Sequence, residues 1–109
     1  MIKVMWLVKR AEHLSPEEFA KWWTEVHAPD IRDEQVPHLV RYVVNVRTED
    51  NLVAKPDSEP EWDGIAEEWF ATEAAFNAVY GKDDRDAHED ADANTSKVER
   101  LVVREITFA

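Results

Sequence analysis

Residues 14–29 read LSPEEFAKWWTEVHAP, a stretch that predicts where one helix begins and which of its faces is buried. Ser15 is a typical N-cap residue, and Pro16 suits the first helical position. Glu18 lies three residues after Ser15 and completes a capping box. Large apolar side chains then recur with the spacing of one helical face: Phe19, Trp22, Trp23 and Val26. This spacing predicts an amphipathic helix that packs against a core.

The same helix carries a titratable group at its expected C-terminus. Pro29 disfavours helical geometry at Ala28, so we expect the helix to end near His27. The helix dipole favours an imidazolium there by up to ~2 kcal/mol, whereas burial beside a tryptophan opposes the charge. These two effects predict a pKa near neutrality for His27, which suits a general acid or base. The alternative role is structural, with His27 capping the last carbonyl groups of its own helix.

The rest of the chain predicts four strands and a second helix. The expected strands are residues 2–9, 38–48, 63–70 and 101–108, and the second helix runs from residue 72 to a cap at Gly81. A polar loop at 49–61 and an acidic segment at 82–97, either helical or irregular, connect them. The order β-α-β-β-α-β is typical of the ferredoxin-like α+β fold, with a four-stranded antiparallel sheet and helices on one face. Residues 1–109 therefore form a single domain in this interpretation.

The strands also predict a partner for the sheet. The segments VMWLV (4–8) and LVVREITF (101–108) are apolar on both faces, and Trp6 and Trp69 are too large to leave in water. Helices cover only one face of such a sheet, so the second face needs another cover. An identical sheet is the simplest cover and predicts a homodimer that pairs sheet to sheet. The alternative is a monomer whose second sheet face is open to water.

Composition limits the partners and the location. A formal net charge of −11 argues against nucleic acid and anionic membranes as partners, and the chain has no cysteine. No run of residues approaches membrane-spanning length, and the N-terminus reads as a strand, so we expect a cytoplasmic protein. The acidic run 83–92 lacks the glycine and glutamate spacing of a calcium loop, and no nucleotide-binding glycine motif is present. We therefore expect neither a metal nor a cofactor.

Four stretches carry a pattern that covers nearly the whole chain. They are IKVMWLVKR (2–10), LSPEEFAKWWTEVHAP (14–29), RYVVN (41–45) and DGIAEEWF (63–70), and the most specific element is W-x-x-x-H-A-P from Trp23 to Pro29. Together they resemble the EthD-like family of the dimeric α+β barrel superfamily. That superfamily includes muconolactone-type isomerases, aromatic polyketide cyclases and dehydratases, and cofactor-free monooxygenases. The resemblance implies the barrel fold and favours a functional role for His27.

Strand alternation and the resemblance suggest companions for His27. On the third strand Glu67 shares a face with Trp69, and it matches a strand-end glutamate of the family, so we favour Glu67 as the cavity carboxylate. The alternative is that Glu67 pairs with an arginine of a neighbouring strand, either Arg41, Arg47 or Arg104. The predicted catalytic residues are His27, Glu67 and Tyr42. The predicted substrate-binding residues are Trp23, Asn45, Trp69 and Met5.

The two adjacent tryptophans receive different predicted roles. Trp23 lies four residues before His27 on the same side of an α-helix, so we expect it to form the wall beside the imidazole. Trp22 is rotated ~100° from Trp23 and is expected to lie deeper in the core between helix and sheet.

These residues predict a function for the cavity. We expect a cofactor-independent lyase or isomerase that acts on a small apolar aromatic, lactone or polyketide-like compound, with His27 moving the proton. One alternative is a cofactor-free monooxygenase acting on a phenolic or anthrone substrate. Another is a non-catalytic accessory protein of an oxygenase system, which would dock through the acidic surface.

Overall fold

A four-stranded antiparallel sheet organises the chain, as the sequence predicts. The computed structural model describes residues 1–48, 60–81 and 87–109. The strands are β1 (Ile2–Arg10), β2 (Leu39–Val46), β3 (Gly64–Phe70) and β4 (Thr95–Val103), and their order in the sheet is β2-β3-β1-β4. The helices are α1 (Pro16–Trp22), α2 (Ala28–Gln35), α3 (Glu73–Tyr80) and α4 (Ala87–Asn94). This connectivity and strand order confirm the ferredoxin-like α+β fold.

The last strand differs from the prediction. β4 begins at Thr95 and ends at Val103, whereas the apolar run predicted a strand over 101–108. Because β4 is an edge strand that pairs only with β1, its outer side tolerates the charged residues of TSKVER (95–100). The acidic segment contains α4, and residues 49–59 of the expected loop lie outside the described residues. Among the described helices, none combines the length and the hydropathy needed to span a bilayer.

The first helix begins as predicted but does not end at His27. Ser15 and Glu18 form the capping box. The prediction of the helix end is wrong, because α1 continues through a π-helical turn at Trp23–His27 directly into α2. In this turn the N–H of Ala28 donates to the carbonyl of Trp23, five residues earlier. The wider turn accommodates Pro29, which has no N–H and whose ring would clash with a carbonyl in an α-helix.

Two groups of buried apolar side chains fill the space between the sheet and the helices. One contains Val8, Phe19, Trp23 and Ala66, and the other contains Val4, Phe70 and Val79. Trp6 packs against both groups from the middle of β1. Because the side chains of a strand alternate between faces, this contact defines the helix-side face of β1 as the one carrying Val4, Trp6 and Val8.

We expect Gly64→Ala to destabilise the fold by ~3 kcal/mol or more, at or above the upper end for overpacking. A Cβ at position 64 would lie 2.3 Å from Cζ3 of Trp23 and 2.4 Å from the carbonyl oxygen of Asn45. Trp23 is buried and Asn45 belongs to a strand paired with β3, so relief of these contacts would require a shift of the indole and of the strand backbone. The midpoint of denaturant unfolding measures the effect. In a Trp23→Leu background the same change should cost less, and equal costs in both backgrounds would contradict a clash with the indole.

Candidate functional site

A cavity of about 450 Å³ lies between the helix-side face of the sheet and the helices. Its volume falls in the range of small-molecule sites, roughly 300–1,000 Å³. Its aromatic walls are formed by Trp6, Trp22, Trp23, Tyr42 and Tyr80. Polar groups are few and include His27, Gln35, Glu68, Asp92 and Arg100. A largely aromatic enclosure with a small number of polar groups is typical of a site for a small apolar compound.

His27 lies on the helical wall of this cavity, between Trp22 and Asp90. Its imidazole stacks on the indole of Trp22, with 4.8 Å between the ring centroids and 23° between the planes. Nδ1 of His27 lies 3.5 Å from Oδ2 of Asp90. Nε1 of Trp22 lies 3.0 Å from each oxygen of the same carboxylate. Asp90 therefore fixes the indole on which the imidazole rests, and it faces the nitrogen that is positive when His27 is protonated.

The structure reverses the predicted roles of the two tryptophans. Trp23 is 2% exposed and packs on Phe19, with 5.4 Å between ring centroids, whereas Trp22 is partly buried and stacks on His27. The prediction that Trp23 forms the wall beside the imidazole is wrong, because it assumed an α-helical turn. The π-helical turn brings residues five apart onto one side, which aligns Trp22 with His27. Trp23 does line the cavity.

Glu68 lies on the sheet side of the cavity and is held by two aromatic residues. Its Oε1 accepts a hydrogen bond from Nε1 of Trp6 at 2.7 Å and another from the hydroxyl of Tyr80. The residue is only 1% exposed. A buried carboxylate is costly unless it is hydrogen-bonded, so these two donors stabilise Glu68 on the cavity floor and fix its orientation.

Tyr42 lies beside Glu68 on the neighbouring strand and keeps its proton. Tyr42 of β2 and Glu68 of β3 are register partners. Burial raises the pKa of the Tyr42 phenol, the negative charge of Glu68 raises this pKa further, and a hydrogen bond with Trp23 partly opposes both effects. Tyr42 is therefore a hydrogen-bond donor or acceptor toward a bound compound and does not act as a base near neutral pH.

Arg100 adds a positive charge at the edge of the same cavity. Its guanidinium carbon lies 5.1 Å from the ring centroid of Tyr80 and 5.8 Å from that of Trp6, within reach of a cation–π contact. The structure shows no ion pair of Arg100 within residues 1–48, 60–81 and 90–109. Arg100 shares the cavity lining with the carboxylates of Glu68 and Asp92, so the cavity carries side chains of both signs.

The structure brings together only some of the predicted site residues. His27, Tyr42 and Trp23 line one cavity. The other four belong to the opposite face of the sheet: Met5, Asn45, Glu67 and Trp69. The prediction that Glu67 is the cavity carboxylate is wrong, because the alternation along β3 places Glu68 on the helix side together with Ala66 and Phe70.

Glu67 belongs instead to an ionic cluster around Lys3. Nζ of Lys3 lies 2.8 Å from Oε1 of Glu67 and 2.7 Å from Oε2 of Glu105, and Nδ2 of Asn45 donates to Oε2 of Glu67 at 2.9 Å. Hydrogen bonds from Lys3 hold the pKa of Glu67 and of Glu105 below the usual value, and the two carboxylates raise the pKa of Lys3. The ammonium also lies 4.6 Å from the centroid of the Trp69 ring. Glu67 therefore has the cross-strand structural role weighed as its alternative, with a lysine as its partner.

Trp6, Gln35, Glu68 and Tyr80 are among the cavity residues that the sequence did not predict. Alternation along VMWLV could have assigned Trp6 to the same face as Val4 and Val8. Gln35 lies beyond the expected helix end, so no helical spacing pointed to it. Glu68 shares its face of β3 with the apolar residues Ala66 and Phe70. Those two residues could have indicated that this face is the one covered by helices.

The chain is similar to one family model and to several solved structures. A family model described as the EthD domain matches residues 11–95. An ethyl tert-butyl ether d (EthD) family protein from Bacillus halodurans has 19% identity and a TM-score of 0.68, with 97% of this chain and 99% of that chain covered. HapK from Hahella chejuensis has 16% identity and a TM-score of 0.65, with 100% of this chain and 96% of that chain covered. SnoaB from Streptomyces nogalater, a cofactor-independent oxygenase, has 16% identity and a TM-score of 0.58, with 97% of this chain and 95% of that chain covered. No curated protein matches the chain.

Proposed function

Because the chain belongs to the EthD family, we propose that it is a cofactor-independent lyase or isomerase that moves a proton of a small, largely apolar aromatic, lactone or polyketide-like compound. One observation carries the proposal. The imidazole of His27, whose Nδ1 lies 3.5 Å from the Asp90 carboxylate, and the protonated phenol of Tyr42 line the same aromatic cavity. A proton acceptor and a fixed hydrogen-bond donor in one apolar enclosure are what enolisation of a carbonyl compound requires.

The proposed reaction begins when the imidazole of His27 takes a proton from the carbon next to a carbonyl group of the substrate. The electron pair of that C–H bond forms the enolate, and the hydroxyl of Tyr42 donates a hydrogen bond to the enolate oxygen. Asp90 stabilises the imidazolium that results. His27 then returns the proton to another carbon, which completes an isomerisation, or to a departing hydroxide, which leaves as water and completes a dehydration. The aromatic side chains of the cavity surround the enolate with apolar surface.

The likeness to SnoaB favours a second candidate, a cofactor-free monooxygenase. In that reaction the same deprotonation would give an electron-rich carbanion that reduces dioxygen. One oxygen atom would become a carbonyl group at the former CH₂ carbon, and the other would leave as water with the two hydrogens. The first step is shared with the lyase and the isomerase, and dioxygen is the additional substrate.

Isotope exchange in deuterated water tests the proposal without knowledge of the final product. The protein is incubated with anthrone or an unsaturated lactone, and exchange of the acidic C–H next to the conjugated carbonyl group is followed by mass spectrometry. We expect catalysed exchange with at least one of these compounds and no dioxygen uptake. Exchange accompanied by dioxygen uptake would assign the monooxygenase instead. Absence of exchange with compounds that bind would overturn both candidates and leave a binding role.

We further propose that two copies pair through the sheet faces that carry no helix. The apolar side chains of Met5 and Leu101 are register partners on this face, and Leu101 is 51% exposed. Light scattering after size exclusion should therefore give the mass of a dimer at micromolar concentration. Leu101→Arg should shift this mass toward the monomer, whereas Val26→Arg, on the exposed side of the π-helical turn, should not. A wild-type monomer with the fold intact would contradict this pairing.

A further inference from the structure

Gln35 is a buried amide in an apolar part of the cavity wall. It is the last residue of α2, it is 1% exposed, and it lines the cavity. Its side-chain oxygen Oε1 has no hydrogen-bond partner among the described residues. A buried polar atom without a partner costs free energy, and in folded proteins nearly all such atoms are bonded. This oxygen is therefore a position where a bound molecule can supply the missing donor.

The surroundings of Gln35 explain why the protein itself supplies no donor. Ile31, one turn earlier on α2, is buried and lines the same cavity. The backbone carbonyl of Gln35 accepts a hydrogen bond from the N–H of His38 at 2.9 Å, which ties down the end of the helix. The main chain at Gln35 is therefore fixed while Oε1 of its side chain has no partner among the described residues, an arrangement that suits recognition of a ligand group.

We propose that the cavity binds a ring compound through a hydroxyl group that donates a hydrogen bond to Oε1 of Gln35. The inference rests on the proposed function, since it names a chemical feature of the compound that this same cavity takes. A hydroxyl fits because it supplies a donor without a formal charge. An ammonium donor is disfavoured because it would have to be desolvated to reach this buried oxygen, which costs more than desolvating a hydroxyl. The aromatic side chains Trp6, Trp22 and Trp23 then contact the ring that carries the hydroxyl.

Three soluble probes of matched shape test the hydroxyl directly: a hydroxynaphthoate, the corresponding methoxynaphthoate and the unsubstituted naphthoate. Binding is measured by quenching of tryptophan fluorescence and by calorimetry. We expect wild-type protein to bind the hydroxynaphthoate about tenfold more tightly than the naphthoate, since the hydroxyl satisfies a buried acceptor. The methoxynaphthoate should show no such gain, because it offers no donor. Equal affinity for all three probes, a gain for the methoxy compound, or no binding of any of them would overturn the proposal.

Gln35→Met retains the length of the side chain and removes the acceptor. We expect this variant to bind the hydroxynaphthoate and the naphthoate equally, with its affinity for the naphthoate unchanged. Its folding should be preserved, because an unpartnered buried oxygen is replaced by an apolar group. Glu34→Met, on the exposed neighbouring residue, should keep the tenfold preference and serves as the control. Persistence of the preference in Gln35→Met would overturn the assignment, and the wild-type comparison remains decisive if this variant does not fold.

The binding series is independent of turnover, so the two proposals fail in different ways. A hydroxyl preference that depends on Gln35, together with no isotope exchange, would overturn the proposed reaction and retain the recognition site. Isotope exchange without a hydroxyl preference would retain the reaction and overturn the role of Gln35.

Discussion

Trp23→Ala should destabilise the protein by ~3–5 kcal/mol, and Trp22→Ala should cost clearly less. Trp23 is almost fully buried, packs on Phe19 and belongs to the same apolar group as Val8 and Ala66. Removing its indole leaves a cavity that the fixed strands β1 and β3 cannot fill. Trp22 is partly buried, and its Nε1 is bonded to Asp90, which is itself partly exposed. Its removal opens space toward the existing cavity.

The denaturant midpoints of the two variants measure this difference in stability. The affinities of the two variants for the naphthoate probes measure their separate effects on the cavity. Trp22→Ala should weaken binding of the naphthoate probes even though it costs less stability than Trp23→Ala. The reason is that it removes a cavity wall and the stacking partner of His27. Equal stability losses for the two variants, or the larger loss for Trp22→Ala, would contradict this assignment. Such a result would favour the α-helical arrangement, in which Trp22 lies in the core and Trp23 lies beside His27.

The first helix shows which of its features could be predicted from the sequence and which could not. The capping box at Ser15 and the apolar spacing of the helix depend on local contacts, and the structure confirms the capping box. The π-helical turn depends on how the chain resolves a competition at Pro29 between ending the helix and widening it. The outcome is a continuous helix in which α2 buries Ile31 and Gln35, and this burial is not visible in the spacing of residues 14–29.

The choice between the two adjacent glutamates shows a second limit. Alternation along β3 correctly separates Glu67 from Glu68, but it does not say which face the helices cover. The sequence favours a cavity beside Trp69, because large aromatic residues usually avoid water. In the structure two cations, Lys3 and Arg41, lie over the Trp69 ring at 4.6 and 4.8 Å, which covers it without any helix. The fold class could therefore be predicted from strand and helix order, whereas the content of the cavity required the tertiary packing.

His27→Gln should slow catalysed proton exchange by ~10²–10⁴-fold, the range for loss of a general acid or base. The substitution retains a polar side chain on the helix but removes the group that titrates. His13→Gln, at an exposed position outside the cavity lining, should leave the rate unchanged and serves as the matched control. The initial rate of deuterium incorporation under saturating substrate measures the effect. A His27→Gln protein that exchanges at the wild-type rate would show that His27 is not the base of the reaction.

Asp90→Asn should have a smaller effect that depends on His27. The Asp90 side chain is 34% exposed and lies 3.5 Å from Nδ1 of His27, so the pair is worth about 0.2–1 kcal/mol, less than a tenfold change in rate. Because Asp90 acts on the reaction only through the imidazole, the double variant should be no slower than His27→Gln alone. A further loss of rate on adding Asp90→Asn to His27→Gln would mean that the carboxylate contacts the substrate itself, and the base of the reaction would then have to be reassigned to Asp90.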